Sequence, residues 1–224
     1  MVVCILSDAG RKIMGLNEKS SAGSSAGAEV RFTILPDRMP PIPTEMMTDA
    51  QRKAAAELCA GPRGKVEGPY WTIIRSPGYM EHIQKVGAYF RYFCPLDRRI
   101  NEMAALMTAR SWTQQFVWDV HINQALEAGL APSTANAIAE GRRPMAMRED
   151  EEILHDFVTE LLTNKSVSDP TYARAVSKFE ESGVIEILGI VGYYTTLAMM
   201  MNVSRTPLLN KRPLPLRPTP ELLR

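Results

Sequence analysis

Apolar residues recur every three or four positions along most of this chain, which is the period of a helix with one buried face. Local signals mark where the first helices begin and end. Thr48 is a capping residue for a helix that reaches Ala60, and Ser76-Pro77 opens another helix that runs to about Phe93. No segment shows the sustained alternation of a half-buried strand. The pattern therefore predicts an all-α fold of about seven or eight helices.

Two central helices follow from the same signals and are expected to pack together. Asp97 caps the first of them, and its pattern is interrupted between Arg110 and Thr113. The second runs from Gln114 to Ala128 and is followed by a glycine, a common helix stop. Further helices are predicted near residues 70–75, 132–140, 148–163, 169–182 and 184–202.

Shifts in composition indicate the domain organisation. Residues 18–28 are rich in Ser, Gly and Ala, as in a flexible linker, so residues 1–35 are predicted to be a flexible N-terminal extension. Residues 36–207 carry the helical pattern and are predicted to form one domain. Residues 208–224 are a Pro-rich basic tail, which is expected to be either an extended arm on a neighbouring subunit or a loose segment.

Charge and cysteine usage exclude several classes of function. The formal net charge is +1 with both signs interspersed, which gives no electrostatic footprint for nucleic acid. Three widely separated cysteines argue against a disulfide framework and favour a reducing, cytoplasmic location. Residues 187–203 are uncharged, but a buried helix explains them, so no membrane span is expected. The three histidines lack metal-ligand spacing, so no metal site is expected.

Glu102 and His121, one on each central helix, are the candidate catalytic residues. Gln114, Val117 and Trp118 precede His121 by seven, four and three residues, so the four side chains share one helix face. A histidine there can titrate near neutral pH, and a carboxylate can orient its ring or exchange a proton with it. A packed core histidine beside a glutamate would produce the same spacing, so the spacing leaves both interpretations open.

An ordered series of motifs across residues 36–207 resembles the carboxymuconolactone decarboxylase family of the alkylhydroperoxidase D-like (AhpD-like) superfamily. The motifs are Leu96-Asp97-Arg98-Arg99-Ile100-Asn101-Glu102, Thr108-Ala109-Arg110, Gln115-Phe116-Val117-Trp118 with His121, Gly61-Pro62-Arg63-Gly64, Glu186-Ile187-Leu188-Gly189 and Gly192-Tyr193-Tyr194. The resemblance implies an AhpD-like helical domain that assembles as a homotrimer or hexamer, with pockets lined partly by a neighbouring subunit.

The resemblance also implies a cofactor-free lyase that acts on a small cyclic carboxylic acid or lactone. In such an enzyme His121 would protonate the developing enolate-type carbon or oxygen, and Glu102 would fix its tautomer. An arginine would hold a substrate carboxylate, with Arg98, Arg99 and Arg110 as candidates. The substrate-binding residues expected on this basis are Gln114, Trp118, Arg110 and Tyr193.

One departure from the superfamily pattern argues against thiol peroxidase activity. The peroxidase branch carries a Cys-x-x-Cys pair seven and four residues before its histidine, where this chain has Gln114 and Val117. Neither side chain can form a thiolate or a disulfide. A peroxiredoxin-type activity would therefore need an unusual cysteine. The main alternative to a lyase is a binding protein that keeps the fold without catalysis.

Overall fold

The computed structural model describes residues 36–208 and 215–217, and within them the chain forms eight α-helices and no strand. The predicted extension 1–35, its linker and most of the predicted tail lie outside the described residues. In chain order the helices are α1 (Asp49–Ala60), α2 (Pro69–Ile73), α3 (Pro77–Ala88), α4 (Arg98–Ser111), α5 (Gln115–Glu127), α6 (Pro132–Ala139), α7 (Glu149–Asn164) and α8 (Asp169–Ser204). The predicted all-α fold is confirmed.

Side-chain hydrogen bonds cap the N-termini of α1, α4 and α5. Thr48 and Gln51 form a reciprocal capping box at the start of α1. The carboxylate of Asp97 accepts the backbone N–H of Arg99 and so starts α4. The side chain of Gln114 accepts the N–H of Val117 at the start of α5. The sequence suggested that Gln114 begins the first turn of this helix. In the structure Gln114 is the residue that caps α5, which begins at Gln115.

Helix α4 lies at the centre of the fold, where it packs against α5, α7 and α8. Every residue from Arg99 to Arg110 is buried, so this helix has no solvent-facing side over that span. Its polar residues therefore need partners inside the protein. The α4–α5 contact brings Glu102 to His121, as the two predicted central helices implied.

Two helices differ from the sequence prediction. The helix predicted to reach Phe93 is α-helical only to Ala88 and continues as a π-helical turn over Tyr89–Phe93. The two helices predicted at 169–182 and 184–202 form one element, α8, with a break at Glu180 (φ 60°). Gly183, the expected break, is helical, and a side chain there would lie 2.8 Å from Cβ of Phe179 in the preceding turn of α8 and 3.4 Å from Leu96.

Helix α8 is long and apolar enough to span a membrane by length and composition, and half of its most apolar window is buried inside the fold. Its buried face contributes Ile187, Ile190, Tyr194 and Met201 to the core. A core helix of a globular domain meets the same criteria of length and composition.

The described part of the tail lies on the chain's own domain. Leu216 is buried, and its backbone N–H and C=O both bond the side-chain amide of Gln115. Arg110 donates from Nη1 to the carbonyl of Arg217 at 2.6 Å. Residues 215–217 are therefore bonded to the junction of α4 and α5. The sequence had suggested that this tail is an arm on a neighbouring subunit or a loose segment.

Candidate active site

A buried histidine–carboxylate pair joins α4 to α5. Nδ1 of His121 lies 2.6 Å from Oε2 of Glu102, and each residue is only 5% exposed. Because Glu102 occupies Nδ1, the ring nitrogen left for other partners is Nε2. The guanidinium of Arg98 stands 3.9 Å from the other Glu102 oxygen at the protein surface. The closest polar contact of the Glu102 carboxylate is therefore the buried His121 and not the exposed Arg98.

His121 forms part of the wall of a cavity of about 140 Å³. The loop before α2, the π-helical turn, α5 and α8 enclose this space. Its apolar wall includes Phe116, Val117, Leu197 and Met201. A cavity of about 150 Å³ engineered into another protein holds one benzene molecule. The space beside His121 therefore suits a ligand with a single small ring.

Three tyrosines form a hydroxyl-bearing wall beside the histidine. The ring of Tyr194 meets His121 edge-on, with centroids 4.8 Å apart, and Tyr193 packs on Tyr194 at 5.1 Å. The hydroxyls of Tyr193 and Tyr70 lie 3.0 Å apart. Burial raises the pKa of Tyr194, and the charge of Glu102 raises it further. The phenols therefore stay protonated at neutral pH and act as neutral hydrogen-bond donors.

The wall of the same cavity contains more basic than acidic side chains. Arg63, Lys65 and Arg91 contribute to its wall, and Glu67 is the acidic residue among its lining side chains. Lys65 forms an exposed ion pair with Glu67 at 2.9 Å. The guanidiniums of Arg63 and Arg91 face aromatic rings, Tyr70 and Tyr92 respectively. The excess of cations favours an anionic ligand.

The structure brings Tyr193 to the cavity together with His121, but not the other predicted substrate-binding residues. Trp118 lies three residues before His121, but its side chain packs in the hydrophobic core instead of lining the cavity. The Gln114 side chain is used as the cap of α5 and donates to Asn202 at 3.2 Å. Neither side chain forms part of the cavity wall.

The arginines of α4 are engaged elsewhere. Arg99 forms a buried ion pair between α4 and α7, Arg98 is exposed and bonds Gln124, and Arg110 bonds the tail. Burial lowers the pKa of Arg110. None of the three forms part of the cavity wall. The cavity arginines are Arg63 and Arg91, which sequence reasoning missed because they lie in a loop and in the π-helical turn.

Cys59 and Cys94 lie outside the cavity wall. Cys59 is disulfide-bonded, although the wide spacing of the three cysteines argued against a disulfide framework. Cys94 is a free, half-buried thiol whose Sγ lies 3.7 Å from Glu186. Burial raises the pKa of the Cys94 thiol, and the charge of Glu186 adds to that effect. A raised pKa reduces the thiolate that peroxidase chemistry requires.

Replacing Cys94 with serine is therefore expected to leave turnover unchanged, within about twofold, on any substrate of the cavity. The reason is its position outside the cavity wall and its protonated thiol. Steady-state assays of wild type and Cys94→Ser measure this. A large loss in the variant would show that a thiol takes part in the reaction.

The absence of a side chain at Gly87 leaves room for the hydroxyl of Tyr193 and the guanidinium of Arg63. A side chain at this position would lie 2.0 Å from the Tyr193 hydroxyl and 2.8 Å from Nη2 of Arg63. Gly87→Ala is expected to cost about 1–3 kcal/mol of stability, since overpacking displaces both groups. Gly192→Ala in α8 is the matched control, because nothing lies within 4 Å of its added carbon. The control should be neutral or stabilising by up to about 1 kcal/mol. Denaturant melts of both variants test this difference.

Comparisons with known proteins show the fold. No family model matches the chain, and no curated protein matches its sequence. A crystal structure of a protein of unknown function from Agrobacterium tumefaciens, provisionally named as the antioxidant defence protein AhpD, matches with a TM-score of 0.56 at 16% identity. The match covers 65% of this chain and 100% of that one. This chain has an AhpD-like fold. The predicted AhpD-like fold is thereby confirmed, and the superfamily and its decarboxylase branch stay predictions.

Proposed function

We propose that this AhpD-like protein is a cofactor-free lyase that acts on a small cyclic carboxylic acid or lactone. The observation that carries the proposal is the buried Glu102–His121 hydrogen bond of 2.6 Å at the wall of a small cavity. A histidine held in this way is suited to general acid–base catalysis, because its tautomer and orientation are set before the substrate binds.

The proposed reaction needs only His121 and the tyrosines that line the cavity, together with Glu102, which bonds His121. The bond between a ring carbon and its carboxylate breaks, carbon dioxide leaves, and the electron pair passes into the conjugated lactone. His121 then donates a proton from Nε2 to the carbon that has lost the carboxylate. Glu102 stabilises the imidazolium before this step, and water returns the proton afterwards. Tyr193 and Tyr194 exclude water and offer neutral donors to the transient negative charge.

Two features support this function over the alternatives. The cavity is positively charged at its wall, which suits a substrate that begins as a carboxylate. The positions of the superfamily's thiol pair hold the capping Gln114 and the apolar Val117, so thiol peroxidase chemistry has no residues there. A binding protein without catalysis would use the same cavity, and turnover separates the two functions.

The experiment is an assay of carbon dioxide release from small lactones and ring acids that carry one or two carboxylates. The proposal predicts release from at least one of them, abolished in His121→Gln. Saturable binding of these acids without carbon dioxide release would identify a binding protein. Movement of a ring proton without loss of carbon dioxide would identify an isomerase.

We also propose that the protein is a homo-oligomer, a trimer or a hexamer. The support is an exposed apolar surface on the π-helical turn and α8, where Tyr92 is 42% exposed, Phe93 66% and Ile185 67%. Tyr92 also lines the cavity, so a neighbouring subunit on this surface would close one side of its mouth. Light scattering over a wide concentration range measures the assembly, and a stable monomer would contradict it.

A further inference from the structure

Arg63, Tyr70 and Tyr193 form a contiguous polar group in the cavity, called here the Arg63 cluster. The guanidinium carbon of Arg63 lies 4.7 Å from the centre of the Tyr70 ring. The hydroxyls of Tyr70 and Tyr193 are 3.0 Å apart. Arg63 Nη2 and the Tyr193 hydroxyl both lie within 3 Å of the point that a Gly87 side chain would occupy. The cluster therefore depends on a glycine at position 87.

The Arg63 cluster has unused hydrogen-bond donors. Nε of Arg63 is buried and has no hydrogen-bond partner among the described residues, and no acidic side chain pairs with Arg63 there. A guanidinium carries five N–H donors and no acceptor, so only an acceptor can satisfy it. The two hydroxyls hold two protons, and their mutual bond uses one. The second proton is available to a ligand.

These donors are permanent over the working pH range. Burial raises the pKa of Tyr193 well above its ordinary value. Burial also raises the pKa of Tyr70, although the nearby charge of Arg63 opposes it. Both hydroxyls therefore remain protonated. Leaving such donors unpaired in a buried site costs free energy, which a bound acceptor would recover.

A ligand can reach the cluster and the histidine at once. The aromatic contacts Tyr70–Tyr193–Tyr194–His121 run along one wall of the cavity. The volume of about 140 Å³ matches one small ring with a substituent. A ring in this space can therefore contact both the Arg63 cluster and His121, which line the same cavity.

We propose that the Arg63 cluster is the carboxylate-binding subsite of the cavity, with Arg63 as the residue that selects an anionic ligand. The planar fork of a guanidinium matches the two oxygens of a carboxylate. The retained carboxylate lies against Arg63, and the reacting carbon lies against His121. This assignment of ends rests on the proposed lyase function, whereas the binding site itself does not.

The experiment measures binding of benzoate and of benzamide, its uncharged analogue of the same shape, by calorimetry. Wild type should bind benzoate at least about tenfold more tightly. Arg63→Gln should lower benzoate affinity by about 10–100-fold, as expected for a charge-assisted hydrogen bond, and leave benzamide affinity within twofold. Arg63→Lys should keep part of the preference, because it keeps the charge without the planar fork. Arg174→Gln removes an arginine paired with Asp156 outside the cavity and should change neither affinity.

Several outcomes would overturn the proposal. Equal wild-type affinities for benzoate and benzamide would do so without any variant. A benzoate preference that survives in Arg63→Gln would assign the selection to another residue. Inorganic phosphate that displaces benzoate with higher affinity would identify a phosphate site instead. His121→Gln should still bind benzoate, so a failure of catalysis and a failure of the subsite give different results.

Discussion

Replacing His121 with glutamine is expected to lower turnover by about 10²–10⁴-fold, the usual contribution of a general acid–base group. Glutamine fills similar space but can neither carry nor deliver the proton. Because His121 is buried and touches Tyr194, the variant should also lose some stability. Turnover is therefore measured per folded molecule, with circular dichroism and a thermal melt on the same preparation.

Two companion variants separate catalysis from packing. Glu102→Gln should give a smaller loss of turnover and a shifted pH profile, since an amide still bonds the imidazole but does not stabilise the imidazolium. His155→Gln is the matched control, because His155 is also buried but lies outside the cavity wall, beside Arg143 and Asp156. The control should change stability without changing turnover per folded molecule.

Replacing Arg99 with methionine is expected to destabilise the fold by about 3–5 kcal/mol, the cost of leaving a buried charge unpaired. Arg99 is 5% exposed and bonds Glu151 at 2.7 Å and Asp150 at 2.6 Å. Glu151 is itself buried and also accepts the backbone N–H of Arg148 at the start of α7. Losing Arg99 therefore weakens both the α4–α7 contact and a helix cap. Equilibrium denaturation at neutral pH measures the loss.

The pH dependence of the Arg99 variant has a definite sign. Burial alone would raise the pKa of Asp150, but the hydrogen bond and charge of Arg99 outweigh burial and lower it. A carboxylate with a lowered pKa stabilises the fold above its unfolded pKa of about 4, and the effect disappears as the pH falls through the folded value. The difference from wild type should therefore shrink in acid. Arg142→Met, which breaks an exposed pair with Glu140, should stay within about 0.5 kcal/mol at every pH.

Local signals in the sequence are sufficient for most helix boundaries. The caps at Thr48 and Asp97 and the breaks around Thr113 and Gly129 act on their own neighbours, and the structure shows helices starting or ending there. The Tyr89–Phe93 turn could not be predicted in this way. A π-helical turn differs from an α-helix by one hydrogen-bond step, and the apolar period of the sequence does not distinguish them.

The candidate pair could be predicted from the sequence, whereas most of its surroundings could not. Glu102 and His121 lie on consecutive helices, so packing of neighbours along the chain is enough to join them. The Tyr70–Tyr193 contact spans 123 positions, and Arg63 comes from an irregular loop. Such contacts depend on how distant helices pack. The α4 arginines belong to the motifs of the resemblance, but their partners on α7 and in the tail lie 52 and 107 positions away and could not be predicted either.

The proton that His121 is proposed to deliver can be followed directly. When wild type turns over a carboxylated lactone in D₂O, the carbon that loses carbon dioxide should gain one deuteron, detected by NMR. We expect His121→Gln, folded by circular dichroism, to slow carbon dioxide release and deuteron delivery together by about 10²–10⁴-fold. A folded variant that releases carbon dioxide and incorporates the deuteron at the wild-type rate would contradict the assignment of His121 as the proton donor.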